Sequence, residues 1–277
     1  MKTTIVLPAY KEKENLELLV PKILDYLDGH LEEILIIDDH SGDGTEKFQT
    51  LDRVRVFTRK NVRGLGSAIF TGIHLAKTPK VIVMDSDGQH PVDCIPKLLE
   101  ALDTNNLVVG SRYVRGGGTR GWSRFREFGS RACSLLAKPL TGLNDSTSGI
   151  FAMNKYKVDL SYLKIEGFKL GLEIFSRNKA VEVPYVFGPR YHGTSKMTTK
   201  QVFYFFKQLV RLYWYKFDLT RMTKFCIVGT GGLGINSAVL FLMTDVGGLF
   251  YLLSNLIAVG SAMIFNFTFN KKWTFKK

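Results

Sequence analysis

The sequence predicts an α/β domain on a mostly parallel sheet, followed by an interfacial amphipathic helix and two transmembrane helices. Three observations predict it. Short β-branched runs alternate with helical patterns through the first two-thirds of the 277 residues. Two long apolar runs without charge, Phe225 to Thr244 and Leu249 to Phe269, follow near the end. Between the α/β part and these runs lies an aromatic and basic stretch, Thr199 to Phe217. With 23% of residues charged, the chain is not a membrane protein throughout.

In chain order, strands are expected at Thr4 to Leu7, Glu33 to Ile37, Val54 to Thr58, Lys80 to Met84 and Leu107 to Gly110. Helices such as Glu14 to Leu27 and Leu65 to Ala76 separate them. Ligands of such sheets bind at the carboxyl ends of strands, which directs attention to the loops that follow. They read Pro8-Ala9-Tyr10-Lys11-Glu12, Asp38-Asp39-His40-Ser41-Gly42-Asp43-Gly44-Thr45, Asn61 to Gly66, and Asp85-Ser86-Asp87-Gly88-Gln89-His90-Pro91. Gly110 to Gly118, rich in glycine and arginine, is expected to be a mobile loop.

Between Thr199 and Phe217, Lys200, Lys207 and Arg211 share one helical face, and Phe203, Phe206, Val210, Trp214 and Phe217 the adjoining one. Such a helix suits the membrane interface. Ser123 to Pro139 is a weaker candidate of the same kind. About 20 helical residues cross a hydrocarbon core of roughly 30 Å, so each apolar run is long enough to span it. Arg221 and Lys224 precede the first span and Lys271, Lys272, Lys276 and Lys277 follow the second, while the turn between holds only Asp245. Both termini and the first domain are therefore expected on the cytoplasmic side, as is an N-terminus that opens directly on a strand. Cys94, Cys133 and Cys226 have no metal-ligand spacing and fit a reducing compartment as packing residues.

The net charge of +13 is concentrated. Arg112 to Arg131 holds six basic residues against one acidic, and Arg190 to Lys224 eight against one. Charge gathered next to the membrane segments suits anionic headgroups or a phosphorylated lipid. No groove-reading motif accompanies it, so nucleic acid is not an expected partner.

Asp85 and Asp87, one residue apart after a hydrophobic strand, are hard oxygen ligands placed for a Mg2+ or Mn2+ that also holds a diphosphate, with Gln89 as a further polar contact. His90, before Pro91, reads as structural. Asp38 and Asp39 end the second strand, where carboxylates accept hydrogen bonds from ribose hydroxyls or base nitrogens; Asp43 or Thr45 reads as the helix cap. Pro8, Tyr10 and Glu12 lie opposite, with an aromatic face for a base.

These loops together resemble glycosyltransferase family 2, in which a strand, Pro-Ala-Tyr-Asn-Glu, a second strand, Asp-Asp-x-Ser-x-Asp-Gly-Thr and Asp-x-Asp-x-Gln-His-Pro follow one another. Lys11 alone departs, standing for the usual Asn. Gly110-Ser111-Arg112-Tyr113, Ser148-Gly149 and Arg190-x-x-Gly193-x-Ser195-Lys196 resemble the dolichol-phosphate mannose synthase branch of that family. The end of the chain is similar to a GtrA-like membrane domain, through Lys224-Phe225, Val228 to Gly234 and Phe265 to Phe275. That domain commonly has four spans and two are seen here, so anchoring is its expected role. The expected division is a catalytic domain over 1–198, an interfacial helix over 199–218 and a membrane hairpin over 219–277.

The resemblance implies a GT-A fold, a nucleotide-diphospho-sugar donor and inversion at the anomeric carbon. A phosphate monoester acceptor is already an anionic nucleophile at neutral pH, its second pKa being about 6, so positive charge matters more than a general base. The residues expected to act in catalysis are Asp87, Arg112, Arg126 and Lys196. Pro8, Tyr10, Glu12, Asp38, Asp39, Asp85 and Gln89 are expected on the nucleotide-sugar. Arg126, Ser130, Arg190, Ser195 and Lys196 are expected on the acceptor phosphate, and Asp85, Asp87 and Gln89 on the metal. Arg120, Arg124 and Arg131 are assigned to lipid headgroups. The expected reaction is transfer of mannose from GDP-mannose to dolichyl phosphate. The alternatives are a UDP-sugar with undecaprenyl phosphate, and a membrane-anchored nucleotide-binding protein without catalysis. A processive polysaccharide synthase is disfavoured, because Gln208-Leu209-Val210-Arg211-Leu212 only approximates the Gln-x-x-Arg-Trp motif of such enzymes.

Overall fold

The computed structural model describes residues 2–161, 163–164, 169–193 and 199–275. They fall into two compact units, Met1–Leu212 and Tyr213–Lys277.

The first unit is built on a seven-stranded sheet. Its elements are β1 (Thr3–Ala9), α1 (Lys13–Tyr26), β2 (Leu31–Asp38), β3 (Val54–Thr58), α2 (Leu65–Leu75), β4 (Lys80–Val83), α3 (Ile95–Thr104), β5 (Leu107–Ser111), β6 (Gly118–Thr119), α4 (Arg124–Thr141), β7 (Phe151–Asn154), α5 (Leu170–Arg177), β8 (Val181–Pro184), β9 (Val186–Phe187) and α6 (Thr199–Lys216), which runs into the second unit. The strand order is β3-β2-β1-β4-β7-β5-β8, with β6 and β9 forming a separate pair. All neighbours run parallel except β7, which is antiparallel to both β4 and β5. The five expected strands and both expected helices are present; β6 to β9 were not expected, being short.

Period-two alternation explains the layering. Ile5 and Leu7, Ile34 and Ile36, and Ile82 and Met84 share one core with Leu16, Leu19 and Ile23 of α1 and Leu98 of α3. Val6, Leu35, Ile37, Val81 and Val83 point to the other, with Ile69 of α2 and Ile174 and Phe175 of α5. Strands apolar on both faces are what a sheet covered on both sides requires. Gly72 lets α2 approach β1, since a Cβ there would stand 2.2 Å from Val6 Cγ1.

The segment expected to be a mobile loop is instead pinned. Gly110 belongs to β5, Gly118 N donates to Tyr185 O (3.1 Å), and a Cβ on Gly117 would lie 2.5 Å from Ser111 O. Its glycines serve close backbone approach.

Within the first unit, α6 packs through Phe205, Leu209 and Leu212, all buried, while Phe203 and Val210 are 67% and 63% exposed. Gln208 Nε2 donates to Glu173 Oε1 (3.1 Å), and Arg211 pairs with the same carboxylate, which is buried. Arg211 thus holds a core glutamate and does not simply extend the basic face. On α4, capped by Ser123 and ended by Gly142 in the left-handed region, Phe125 and Phe128 are 87% and 72% exposed.

In the second unit, α7 (Leu219–Phe241) and α8 (Tyr251–Phe269) each close in a π turn, giving stretches Leu219–Val246 and Tyr251–Thr274 long and apolar enough to cross a membrane. Small residues let the two helices meet: a Cβ on Gly231 would come 2.9 Å from the Phe265 ring, and one on Gly232 2.3 Å from Asn266 Oδ1. At the base of the hairpin Lys224 lies 5.5 Å from the Trp273 ring centroid.

Candidate active site

The loops after β1, β2 and β4 are laced together by hydrogen bonds. Ser86 Oγ donates to Pro8 O (2.8 Å), and Lys11 N donates to Ser41 Oγ (2.8 Å). Lys11 has φ 54°, the left-handed region that asparagine tolerates better than lysine. The cap expected of Asp43 or Thr45 falls instead on Gly44, in the left-handed region; Asp43 accepts from Lys13 N (3.2 Å) and from Thr45 N and Oγ1 (3.0 and 2.7 Å), tying the turn to the start of α1.

The two carboxylates after β2 are held from within the protein. Asp38 accepts from Ser41 N (3.2 Å) and from its hydroxyl. Asp39 accepts from Arg59 Nε (2.7 Å) and Gly64 N (2.7 Å), which fixes the loop before α2. Tyr10 carries the Arg63 guanidinium 5.1 Å from its ring centroid.

Asp85 and Asp87 have different surroundings. His90 Nε2 lies 3.2 Å from Asp85 Oδ2, and the His90 ring is buried edge-on to Phe187 and tilted against Tyr185. Asp87 Oδ1 accepts from Gln89 N (3.0 Å) and its Oδ2 from Arg190 (2.7 Å). Burial opposes ionisation of Asp85, but the hydrogen bond from His90 and the nearby charges of His90, Lys169 and Arg190 outweigh it and hold that carboxyl below its ordinary value. Burial, then the charge of Asp85, pushes Asp87 above its ordinary value. Gly149 leaves room for this pair, because a Cβ there would stand 2.6 Å from Asp85 Oδ2. Lys169 Nζ donates to Thr147 O (2.7 Å) on the same side of the site.

Arg112 is buried and bound through its backbone N, its Nε and one terminal nitrogen. Its N and Nε donate to Asp145 Oδ2 at 2.9 and 2.7 Å, and a terminal nitrogen donates to Asp145 Oδ1 at 2.7 Å. Its guanidinium lies 5.3 Å from the Trp122 ring centroid, and Arg126 covers the same ring at 4.1 Å. Arg126 is depressed by burial and then by the positive charges of Arg112 and Arg190, so the three guanidiniums share one neighbourhood. Ser130 follows Arg126 one turn later on α4. Arg190 reaches both Asp87 and Glu12, the latter at 3.5 Å. Ser195 and Lys196 lie outside the described residues.

Among the described residues no group of three or more acidic, histidine or cysteine side chains is gathered to hold a metal alone. Two carboxylates on one short loop, with the Gly149 cradle beside them, fit a cation that takes its remaining oxygens from a diphosphate and water, as Mg2+ and Mn2+ do. Gln89 gives Nε2 to Gly188 O (3.1 Å), so Oε1 is the atom it could present to a cation.

Sequence reasoning missed Asp145, Arg59, Lys169 and Trp122. The polar run Asn144 to Gly149 before β7 was the one available signal for Asp145.

The chain matches the model of glycosyl transferase family 2 over residues 4–162 and that of the GtrA/DPMS transmembrane domain over 224–277. It is 36% identical to a dolichol-phosphate mannosyltransferase of Pyrococcus furiosus, over 100% of this chain and 82% of that protein. It is 33% identical to one from Saccharomyces cerevisiae, over 80% of this chain and 91% of that protein. An undecaprenyl-phosphate mannosyltransferase of Micrococcus luteus is also 33% identical, over 72% and 88%. Glucosyl-3-phosphoglycerate synthase of Mycobacterium tuberculosis, solved with Mn2+, UDP-glucose and phosphoglyceric acid, superposes with a TM-score of 0.57 at 22% identity, covering 77% of this chain and 79% of that one.

Proposed function

Since the chain belongs to glycosyl transferase family 2, and is a membrane-bound glycosyltransferase with two spans, we propose that it transfers mannose from GDP-mannose to dolichyl phosphate at the cytoplasmic membrane face. The observation that carries the reading is the placement of Arg190 on Asp87, with Arg126 nearby and Arg112 sharing the Trp122 ring with Arg126. Positive charge is gathered there beside the carboxylates, as a reaction between two anions requires. Names of the relatives support mannose and a polyprenyl phosphate.

The donor's base lies against Tyr10 and the loops ending in Asp38 and Asp39, with Pro8 and Glu12 opposite. Asp85, Asp87 and Gln89 would hold a Mg2+ or Mn2+ that accompanies the donor. When bound, that cation supplies Lewis-acid stabilisation of the departing diphosphate. Arg126, with Ser130, Arg190, Ser195 and Lys196, receives the acceptor phosphate. One phosphate oxygen attacks the anomeric carbon, the bond from that carbon to the diphosphate oxygen breaks, and GDP departs with the electron pair, inverting the centre. No proton needs to be removed, because the phosphate is ionised at neutral pH with a second pKa of about 6. Arg112, locked by Asp145, positions Trp122 and through it Arg126. Exposed Phe125 and Phe128 on α4, and Phe203 and Val210 on α6, lie in the lipid interface and bring the site to the headgroup level.

The name of the M. luteus relative supports a second acceptor, undecaprenyl phosphate. Purified protein is incubated with labelled GDP-mannose or UDP-glucose and each lipid phosphate. Lipid-linked mannose on dolichyl phosphate is expected. Lipid-linked glucose without mannose would overturn the donor assignment, and product on undecaprenyl phosphate alone would move the acceptor.

A further inference from the structure

Arg190 occupies the place a cation on Asp87 would need. Its guanidinium meets Asp87 Oδ2 at 2.7 Å and Glu12 Oε1 at 3.5 Å, bridging the loop after β4 and the loop after β1. The backbone that delivers it is fastened on both sides. Gly188 N donates to Gln89 O (2.8 Å), Tyr191 N to Asp87 O (3.2 Å), and His192 N to Asn15 Oδ1 (2.8 Å). The Tyr191 ring fills the space over Gly88, where a Cβ would stand 2.3 Å from it, and Lys22 Nζ lies 4.4 Å from that ring's centroid. With the main chain so held, the part of Arg190 able to move is its side chain, which keeps 20% of its surface exposed.

We propose that Arg190 is an exchangeable counter-cation: it neutralises Asp87 in the free enzyme, yields that oxygen to the divalent metal arriving with the donor diphosphate, and is thereby released toward the acceptor phosphate. The inference rests on the reading of Asp87 as a metal ligand. A guanidinium and a divalent cation drawn to the same carboxylate oxygen repel one another at close range, so metal alone must weaken or displace a charge-assisted hydrogen bond to enter. A metal already carrying a diphosphate brings negative charge that draws the displaced guanidinium, which makes the exchange easier. Free metal therefore binds weakly, metal and nucleotide bind together, and the acceptor-side arginine becomes available only once the donor is seated. Arg190 belongs in sequence to the acceptor set and in space to the metal loop, and the exchange accounts for both.

The test uses the full chain in detergent, with Mn2+ binding followed by the electron paramagnetic resonance signal of the free ion, without nucleotide. Arg190→Met keeps the length of the stem and removes the charge. Mn2+ is expected to bind it roughly tenfold more tightly than the unaltered protein, the equivalent of one charge-assisted hydrogen bond no longer displaced. Arg190→Lys, with a compact ammonium, should fall between them. Equal or weaker Mn2+ binding by Arg190→Met overturns the exchange. Asp87→Ala is measured in parallel: loss of Mn2+ binding upholds the metal reading, so a failure of Arg190→Met then counts against the exchange alone, whereas retained binding removes both. Should Arg190→Met fail to fold, the unaltered protein decides. Its affinity for a short polyprenyl phosphate must rise at least severalfold when Mn2+ and GDP are added together, and no rise overturns the proposal.

Discussion

Removing the carboxylate of Asp145 tests whether Arg112 acts as a buried strut. Asp145 is fully buried and receives three hydrogen bonds from Arg112, two at 2.7 Å and one at 2.9 Å. The Arg112 side chain is itself only 6% exposed, so Asp145→Ala leaves a guanidinium in the protein interior without its partner. Breaking a buried pair on one side costs about 3–5 kcal/mol. A domain of this size loses roughly 2–4 °C of melting temperature per kcal/mol, so the expected fall is on the order of 10 °C. The assay is thermal unfolding of the full chain in detergent, followed by intrinsic fluorescence. A double variant, Arg112→Met with Asp145→Leu, removes both charges and should recover most of the lost stability, because well-packed apolar replacements of buried pairs are near neutral. That double variant should still lack transferase activity, since Trp122 and Arg126 lose the cation packed beside them. A fall below about 2 °C for Asp145→Ala would refute the reasoning, as would a double variant no more stable than the single one.

With Mn2+ held well below saturation and no acceptor, its binding should begin to fall on acidification at a pH above the ordinary carboxylate value of 3.8, because Asp87 is raised by burial and by Asp85 while Asp85 itself is lowered. The sign extends to stability: a carboxyl whose folded pKa is raised binds its proton more readily when folded, so in chelator the protein should gain stability as pH falls through that raised value, and a loss over that window would contradict the assignment. Arg126→Ala should raise the KM for the lipid phosphate on the order of tenfold to a hundredfold, the loss of one hydrogen bond to a charged group, with the donor KM little changed. Equal effects on both would move Arg126 to the donor side. Lys11→Asn, at φ 54°, should stabilise the protein by about 0.5 kcal/mol in a chemical denaturation series. A decrease would show that the lysine side chain contributes more than its backbone strain.

The sheet was legible wherever a strand is buried on both faces, because β1, β2 and β4 are then continuous apolar runs ending in polar loops. β7 was not, since four residues with one polar neighbour carry no period, and its antiparallel direction is set by where the chain returns. Asp85, Asp87 and the glycine-marked turns were visible because their meaning is local. The partners of Arg112 and Asp39 lie 33 and 20 residues away, and no spacing rule connects them. Arg211 shows the opposite error. Helical periodicity placed it correctly on a basic face, yet that face turns partly inward to Glu173, which periodicity alone cannot report.

The pairing of Glu173 with α6 also decides where the polypeptide can be divided. A soluble catalytic fragment would naturally be cut ahead of the exposed aromatics of α6, before Thr199. Such a cut discards Gln208 and Arg211 and leaves the buried Glu173, on α5 just past Lys169, as an uncompensated charge. A fragment ending after Leu212 keeps the pair and the buried Phe205, Leu209 and Leu212, at the expense of an apolar stripe that detergent must cover. On the proposed interfacial reading of α6, the seam between the soluble and lipid-facing parts runs along the length of one helix, between its buried and exposed faces, and no single peptide bond marks it.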